Sequence, residues 1–289
     1  MSYPKVLISL TSYPRRIPYA IRSIETLMHQ TVKVDEIHLN LSKDEFKGGS
    51  NDLLGLVKEI ESAGVYVDWR EDNLRPHNKY YWIMKDRPDD IVITVDDDIV
   101  YPPTLVQSLL GGYYRHPNAI ISNRTHIITS ESPDRLTPYR TWVMEQTEIV
   151  DEPRFDLLAT GVGGVLYPPG IFDEGAFDLR AIKESSLLAD DLWLLIQEAR
   201  LHIPVVNTPA FPGLYYVPGS QEEGLYVENL ENGRNDVILD RLFKLYPEAK
   251  AAILGSARRL PAEEDLDTGN RGNFDDKDSL IRRIVNRIR

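Results

Sequence analysis

The stretch Ile91 to Pro102, IVITVDDDIVYP, restricts this chain more than any other. Ile91, Val92, Ile93 and Val95, interrupted only by Thr94, form an apolar and mostly β-branched run. Such a run reads as a strand buried on both faces, the kind found in parallel sheets. Three consecutive aspartates, Asp96, Asp97 and Asp98, follow at its carboxyl end, where open α/β sheets bind their ligands. Two carboxylates about 5 Å apart repel by roughly 3 kcal/mol at an effective dielectric of ~20. Three of them at a strand end need a cation, and a hard divalent metal is the obvious candidate. The plain alternative is a solvated turn, because charge runs usually are solvated faces. Against it stand the uninterrupted core strand before the acids and Tyr101-Pro102-Pro103 after them, which fixes the exit of the chain.

With 289 residues, 42% of them hydrophobic and 27% charged, the chain has the composition of an ordinary globular protein with a full core. A formal net charge of -12 argues against a general nucleic-acid binder, since a phosphate backbone would be repelled. There is no cysteine, which excludes disulfides, zinc-thiolate sites and thiol nucleophiles. The amino-terminal residues lack the pattern of a signal peptide, and no apolar stretch reaches transmembrane length. The expected location is the cytoplasm.

Up to residue 100 the pattern alternates strand and helix. Val6 to Leu10 reads as a strand that ends in the cationic turn Thr11-Ser12-Tyr13-Pro14-Arg15-Arg16. Ala20, Ile21, Ile24, Leu27 and Met28 recur at helical spacing after Pro18. Glu36 to Leu41 alternates as a second strand, Leu53 to Ile60 as a helix closed by Gly64, and Val65, Val67 and Trp69 as a third strand. Tyr80-Tyr81-Trp82 opens a helix before the strand at Ile91. This alternation predicts an α/β fold with a mostly parallel, Rossmann-like central sheet flanked by helices.

The second half is less regular. Pro103 to Tyr114 reads as a helix, Ala119 to Ser122 as a short strand and Ser130 to Tyr139 as a polar loop. Gly161 to Pro169 is a glycine-rich segment turning into a strand; its glycines either admit a ligand to the backbone or serve a tight bend. Ala189-Asp190-Asp191-Leu192-Trp193 opens a helix, and acids in a first turn also serve as simple capping charges. Ile203 to Asn207 reads as a strand, and Val237 to Leu245 and Ala249 to Leu254 as helices. Residues 1–260 are read as one domain, 1–100 as its regular half and 101–260 as its less regular half. Residues 261–278 read as an acidic linker or lid. Residues 279–289 read as a basic amphipathic helix, suited either to peripheral contact with the inner face of the plasma membrane or to packing on the domain.

A strand-terminal acid cluster, an early cationic turn and a later acid pair fit transfer of a group from a metal-bound nucleotide diphosphate. A separate carboxylate would take the proton of the attacking hydroxyl. The ordered set SLTSYPRRI, LNLS, ITVDDDIVYP, GVGGVLYPP and ADDLW resembles bacterial glycosyltransferases of the GT-A fold, related to glycosyltransferase family 2, of the kind found in capsule and lipopolysaccharide clusters. The resemblance spans roughly residues 4 to 215 and implies a metal-dependent, inverting enzyme of surface polysaccharide synthesis. Asp96, Asp97 and Asp98 would form its DXD motif, with Asp98 and Asp96 on manganese or magnesium. Thr11, Ser12, Tyr13 and Arg15 would line the nucleotide pocket, together with Arg75, Lys79, Asp96 and Asp97. Asp191 would be the general base, with Asp190 as acceptor binder or alternate base; this pair departs from the usual Glu-Asp. The donor would be a nucleotide sugar, by expectation a uridine diphosphate sugar, and the acceptor a saccharide or lipid-linked glycan. His202 is left out of the metal site, and His29, His38, His77, His116 and His126 are read as surface or helix-end residues. A nucleotidyltransferase, or an inactive sugar-nucleotide-binding subunit, is the alternative reading.

Overall fold

The computed structural model describes residues 3–47, 49, 51–208, 213–223 and 233–260. The expectations for 261–278 and 279–289 lie outside the described residues. The first hundred residues run β1 (Val6–Thr11), α1 (Ile17–Met28), β2 (Glu36–Ser42), α2 (Asn51–Ser62), β3 (Tyr66–Arg70), α3 (Asn78–Asp86) and β4 (Ile91–Thr94). After α4 (Leu105–Arg115) come five short strands, β5 (Ile120–Ser122), β6 (Thr125–Ile127), β7 (Thr129–Ser132), β8 (Arg135–Leu136) and β9 (Leu157–Ala159), and then β10 (Val165–Tyr167). The described chain ends with α5 (Leu179–Ser185), α6 (Asp190–Leu201), β11 (Val205–Asn207), α7 (Arg234–Leu245), α8 (Pro247–Ser256) and β12 (Arg258–Arg259).

Among the described residues the strands form three sheets rather than one, and this corrects the expected GT-A architecture built on a single Rossmann-like sheet. A seven-stranded sheet has the order β11-β5-β10-β4-β1-β2-β3, a three-stranded sheet the order β12-β7-β8, and β6 pairs with β9. Within the large sheet β10 runs antiparallel to both of its neighbours, β4 and β5. The segment 130–139, expected as a polar loop, carries the antiparallel pair β7 and β8. Polar side chains hid these strands: Thr129, Ser130 and Thr137 are buried and hydrogen-bonded, so the alternation of apolar and polar residues that marks a half-buried strand is missing.

Both faces of the large sheet are buried, as the apolar run at Ile91 requires. Ile8, Leu10, Leu39, Ile91, Ile93 and Ile121 pack toward α1, α2 and α4, whereas Leu7, Val92, Ile120 and Val165 pack toward α3 and α6. Alternate residues of one strand therefore serve opposite layers. The carboxyl ends of β1, β2, β3, β4 and β5 lie along one edge of the sheet, so the loops that follow them gather there.

Helix α4 lies tight on β5 through a glycine. A Cβ at Gly112 would stand 2.5 Å from Cγ2 of Ile121, a fully buried β-branched residue with little rotamer freedom. At Gly111 the nearest atom is the far end of Arg115, at 3.6 Å. Gly112→Ala should therefore lower stability by about 1–3 kcal/mol through overpacking, beyond the ~1 kcal/mol that alanine gains over glycine in a helix. Gly111→Ala should raise it by up to about 1 kcal/mol. Urea unfolding of the two variants should move the midpoint in opposite directions.

Candidate active site

A cleft of about 620 Å³ opens at the carboxyl edge of the large sheet. Its floor is the loop after β4. Asp96 keeps its side chain 32% exposed, whereas Asp97 and Asp98 are buried. Tyr101, fully enclosed, fixes this loop: its hydroxyl accepts from the Asp96 backbone N–H at 2.8 Å and donates to the Val162 carbonyl at 3.1 Å. Ser12, at the end of β1, donates to Asp97 Oδ2 at 2.6 Å. Arg16 Nη2 lies 2.8 Å from Asp97 Oδ1 and 2.7 Å from Asp98 Oδ2, and Gln221 donates to Asp98 Oδ2 at 2.6 Å. Burial raises the Asp97 carboxyl to about 6 against the pull of Arg16, and burial with the nearby Asp96 charge raises Asp98.

The opposite wall is made by the first turns of α3 and α6. Lys79 is buried in the first turn of α3, where the helix dipole disfavours a cation. It is held there by acids. Its Nζ donates to Asp96 Oδ1 at 2.8 Å and lies 2.9 Å from Asp190 Oδ2. Burial opposes its charge, but Asp190, Asp96 and Asp191 outweigh burial and raise its pKa well above that of a free lysine. The pair at the start of α6 is split by its surroundings. Burial favours the neutral form of Asp190, but Lys79 overcomes this and lowers it. Asp191, half-buried, desolvated at its carboxyl and beside the charged Asp190, is raised to about 7, although it accepts a hydrogen bond from the Gly161 N–H at 3.0 Å. Two adjacent carboxyls pushed apart in this way suit one to fixed charge and the other to proton transfer.

Gly161 makes this wall possible. A Cβ there would collide with Lys79 Nζ and stand 3.2 Å from Asp191 Oδ1. At Gly161 the backbone is therefore pressed against side chains of the chain itself, and the segment also makes a tight turn, Gly161–Gly163, that ends at Gly164 with φ 85°. Further along α6 on the same face, Glu198 is buried with Oε2 lacking a partner, and burial with the Asp191 charge pushes it to about 8.

Of the residues singled out in the sequence, Thr11, Ser12, Tyr13, Arg75, Lys79, Asp96, Asp97, Asp98, Asp190 and Asp191 all line the cleft. Arg15 does not: it is exposed, and Arg16 takes the inward position on the one-turn helix Pro14–Arg16. Arg75 sits at the rim in an ion pair with Glu45 at 2.6 Å. Sequence reasoning missed Arg124, His126, Met144, Tyr216, Gln221 and Asn235, which also line the cleft. Three histidines read as surface or helix-end residues are buried. His38 bridges Asp68 and Glu36, and His126 is lowered to about 4 by burial and Arg124. His77 is enclosed, donating from Nε2 to the Ser186 carbonyl at 2.8 Å and accepting from the Tyr80 hydroxyl at Nδ1. His202 caps α6 in the left-handed conformation, with φ 55°.

Asp96 and Asp98 offer hard oxygen donors at the cleft floor. Among the described residues no group of three or more His, Cys, Asp or Glu side chains is arranged to hold a metal by itself. Such a donor set fits a divalent ion that takes its remaining ligands from water and phosphate oxygens, the usual arrangement for magnesium in nucleotide enzymes.

No family model matches the chain, and no curated protein sequence matches it. Among solved structures its fold is similar to the mannosyltransferase PcManGT from Pyrobaculum calidifontis in complex with GDP-Man and Mn2+. The TM-score is 0.52 at 10% identity, over 89% of this chain and 69% of that one. S. aureus TarS 1-349 in complex with UDP gives 0.46 at 13% identity, over 86% and 70%. Glucosyl-3-phosphoglycerate synthase from Mycobacterium tuberculosis, in complex with Mn2+, UDP-Glc and glycerol 3-phosphate, gives 0.46 at 15% identity, over 84% and 80%. The first establishes a shared fold and nothing finer, and the other two carry no argument at these scores. The expected membership among family-2-like GT-A enzymes is corrected accordingly, together with the DXD label: no family model supports it, and the shared fold is a multi-sheet one.

Removal of Lys79 tests the electrostatics of this wall. Lys79→Met should cost about 3–5 kcal/mol at pH 8, because it leaves buried carboxylates without their cation. The cost should shrink toward pH 5. Without Lys79 the folded-state pKa of Asp190, which that cation lowers, rises, so the variant gains stability by protonation as the pH falls. Urea unfolding at the two pH values checks this.

Proposed function

We propose that this chain is a metal-dependent glycosyltransferase that moves a sugar from a nucleotide-diphosphate donor to a hydroxyl acceptor, with inversion at the anomeric carbon. The observation that carries the reading is the division of one cleft. A strand-end acid cluster forms its floor, and a carboxyl raised to about 7, Asp191, stands on the facing wall. The similar fold of a mannosyltransferase that holds GDP-Man and Mn2+ supports it.

In this reading Thr11, Ser12 and Tyr13 receive the nucleotide, and residues 1–100 form the donor half of the catalytic unit. Asp96 and Asp98 would hold manganese or magnesium, whose positive charge would stabilise the departing diphosphate. Asp191 takes the proton from the acceptor hydroxyl as that oxygen attacks the anomeric carbon. The bond from that carbon to the diphosphate breaks, and a nucleoside diphosphate leaves. A base with a pKa near the working pH is the efficient choice for this transfer. Asp190 stays ionised beside Lys79 and orients the acceptor. Arg124, His126, Met144 and Asn235, from the half after residue 100, line the acceptor end of the cleft.

The acceptor class is a saccharide or lipid-linked glycan of surface polysaccharide synthesis, and the site of action is the cytoplasm, where nucleotide sugars are made. Among the described residues no helix is long and apolar enough to cross a membrane. Peripheral attachment through the basic segment 279–289 is part of the same proposal.

Incubation with a panel of uridine, guanosine and thymidine diphosphate sugars and manganese should release nucleoside diphosphate, and a chelator should abolish the release. Pyrophosphate as the product would point instead to a nucleotidyltransferase, and activity that survives chelation would remove the metal from the reading.

The pH profile gives a second expectation. Asp191 works only when deprotonated, so kcat/KM should rise with pH through about 7 and level above it. Asp191→Asn should lower kcat by roughly 10²–10⁴ and remove this acidic limb while leaving donor binding in place. An unchanged profile in the variant would reassign the base.

A further inference from the structure

Asp97 and Asp98 share one cation, and they share it in an unusual way. Arg16 Nη2 alone makes both ion pairs, at 2.8 and 2.7 Å. The arginine Nε is buried and has no acceptor. A guanidinium is a rigid fork of five donors, best matched by two oxygens lying side by side on a carboxylate or phosphate. Here the fork is not used as a fork. Arg16 neutralises the acids with one prong while lining the cleft.

The acids show the complementary mismatch. Asp98 Oδ2 accepts from Gln221 and faces Arg16, so this oxygen already holds two partners. Asp97 is tied at both oxygens, by Ser12 and by Arg16. Asp96 faces Lys79. Both carboxylates assigned to the metal under the proposed function are thus covered by cations of the chain itself. A divalent ion arriving alone meets the repulsion of both cations at close range.

We infer that Arg16 is an exchangeable counterion. It covers Asp98 in the free protein; when the metal-bearing nucleoside diphosphate enters, Arg16 releases Asp98 and turns its fork onto the diphosphate, with Asp97 as its fixed anchor. The inference rests on the glycosyltransferase reading and deepens it by giving the third aspartate a role of its own, because Asp97 keeps the guanidinium in place while its partner changes. No covalent bond changes in this step. Because the diphosphate gives Arg16 a better acceptor, it frees Asp98, and nucleotide and metal must strengthen each other's binding by the same factor.

Calorimetric titration of the full chain tests this, first with manganese chloride alone and then with uridine or guanosine diphosphate at saturating manganese. Arg16→Gln should bind manganese alone about tenfold more tightly than the wild type, and the nucleoside diphosphate about tenfold more weakly, within the usual span of coupling between two ligands. Arg16→Lys keeps the charge but loses the fork, so manganese binding should stay near wild type while nucleotide binding falls. Manganese affinity that is unchanged or weaker in Arg16→Gln would overturn the exchange and leave Arg16 a brace for the loop. If Arg16→Gln does not fold by circular dichroism, Arg16→Lys decides: wild-type nucleotide affinity there overturns the inference. A wild-type chain that binds neither manganese nor any nucleoside diphosphate would instead overturn the glycosyltransferase reading itself.

Discussion

The buried ammonium of Lys79 is the interaction on which the rest of the cleft depends. It sits at a helix amino terminus, where both the dipole and desolvation oppose it. Only the convergence of Asp96 and Asp190 on one nitrogen, at 2.8 and 2.9 Å, makes the position tolerable. Those acids come from the end of β4 and the start of α6, nearly a hundred residues apart. The fold must therefore bring two helix starts and one strand end to a single point. Buried ion clusters seldom add net stability over well-packed apolar residues, so the arrangement is better understood through the chemistry it permits than through the energy it contributes.

That chemistry follows from unequal environments for like groups. Asp190 faces the ammonium directly and stays charged. Asp191, one residue on, is desolvated and repelled by its charged neighbour, and its affinity for a proton rises into the neutral range despite the backbone N–H it receives. The acids after β4 divide in a similar manner, with Asp96 partly open to the cleft and Asp97 enclosed by Ser12 and Arg16. Identical side chains on adjacent residues thus acquire different duties from position alone.

How much of this could be read from the chain depends on whether the signal was local. The strand at Ile91 and its acids were legible because a run buried on both faces leaves a continuous apolar word. The α6 acid pair was legible because it opens a helical stripe. The choice between Arg15 and Arg16 was not, since a one-turn helix rotates successive side chains by about a third of a circle and their letters are the same. Gln221 and Asn235 carry no local mark and reach the cleft only through the tertiary fold. The sheet count was misjudged because β6 to β9 and β12 are two to four residues long, too short for periodicity to register. The buried histidines were misplaced for a related reason: His77 is satisfied by Tyr80 and by a carbonyl 109 residues away, a contact that no spacing rule contains.

The reversed direction of β10 has a consequence for how such a cleft can diversify. Its neighbours leave the sheet at the cleft, whereas β10 enters the sheet there, so the chain arrives with the backbone of Gly161 already pressed against Lys79 and Asp191. That part of the wall is main chain, and point substitution can scarcely reshape it. Arg124, His126 and Met144, by contrast, lie on the excursion between β5 and β9 and present side chains. Evolutionary change in what the cleft accepts would accordingly concentrate at that end, while the end beside Gly161 stays constant.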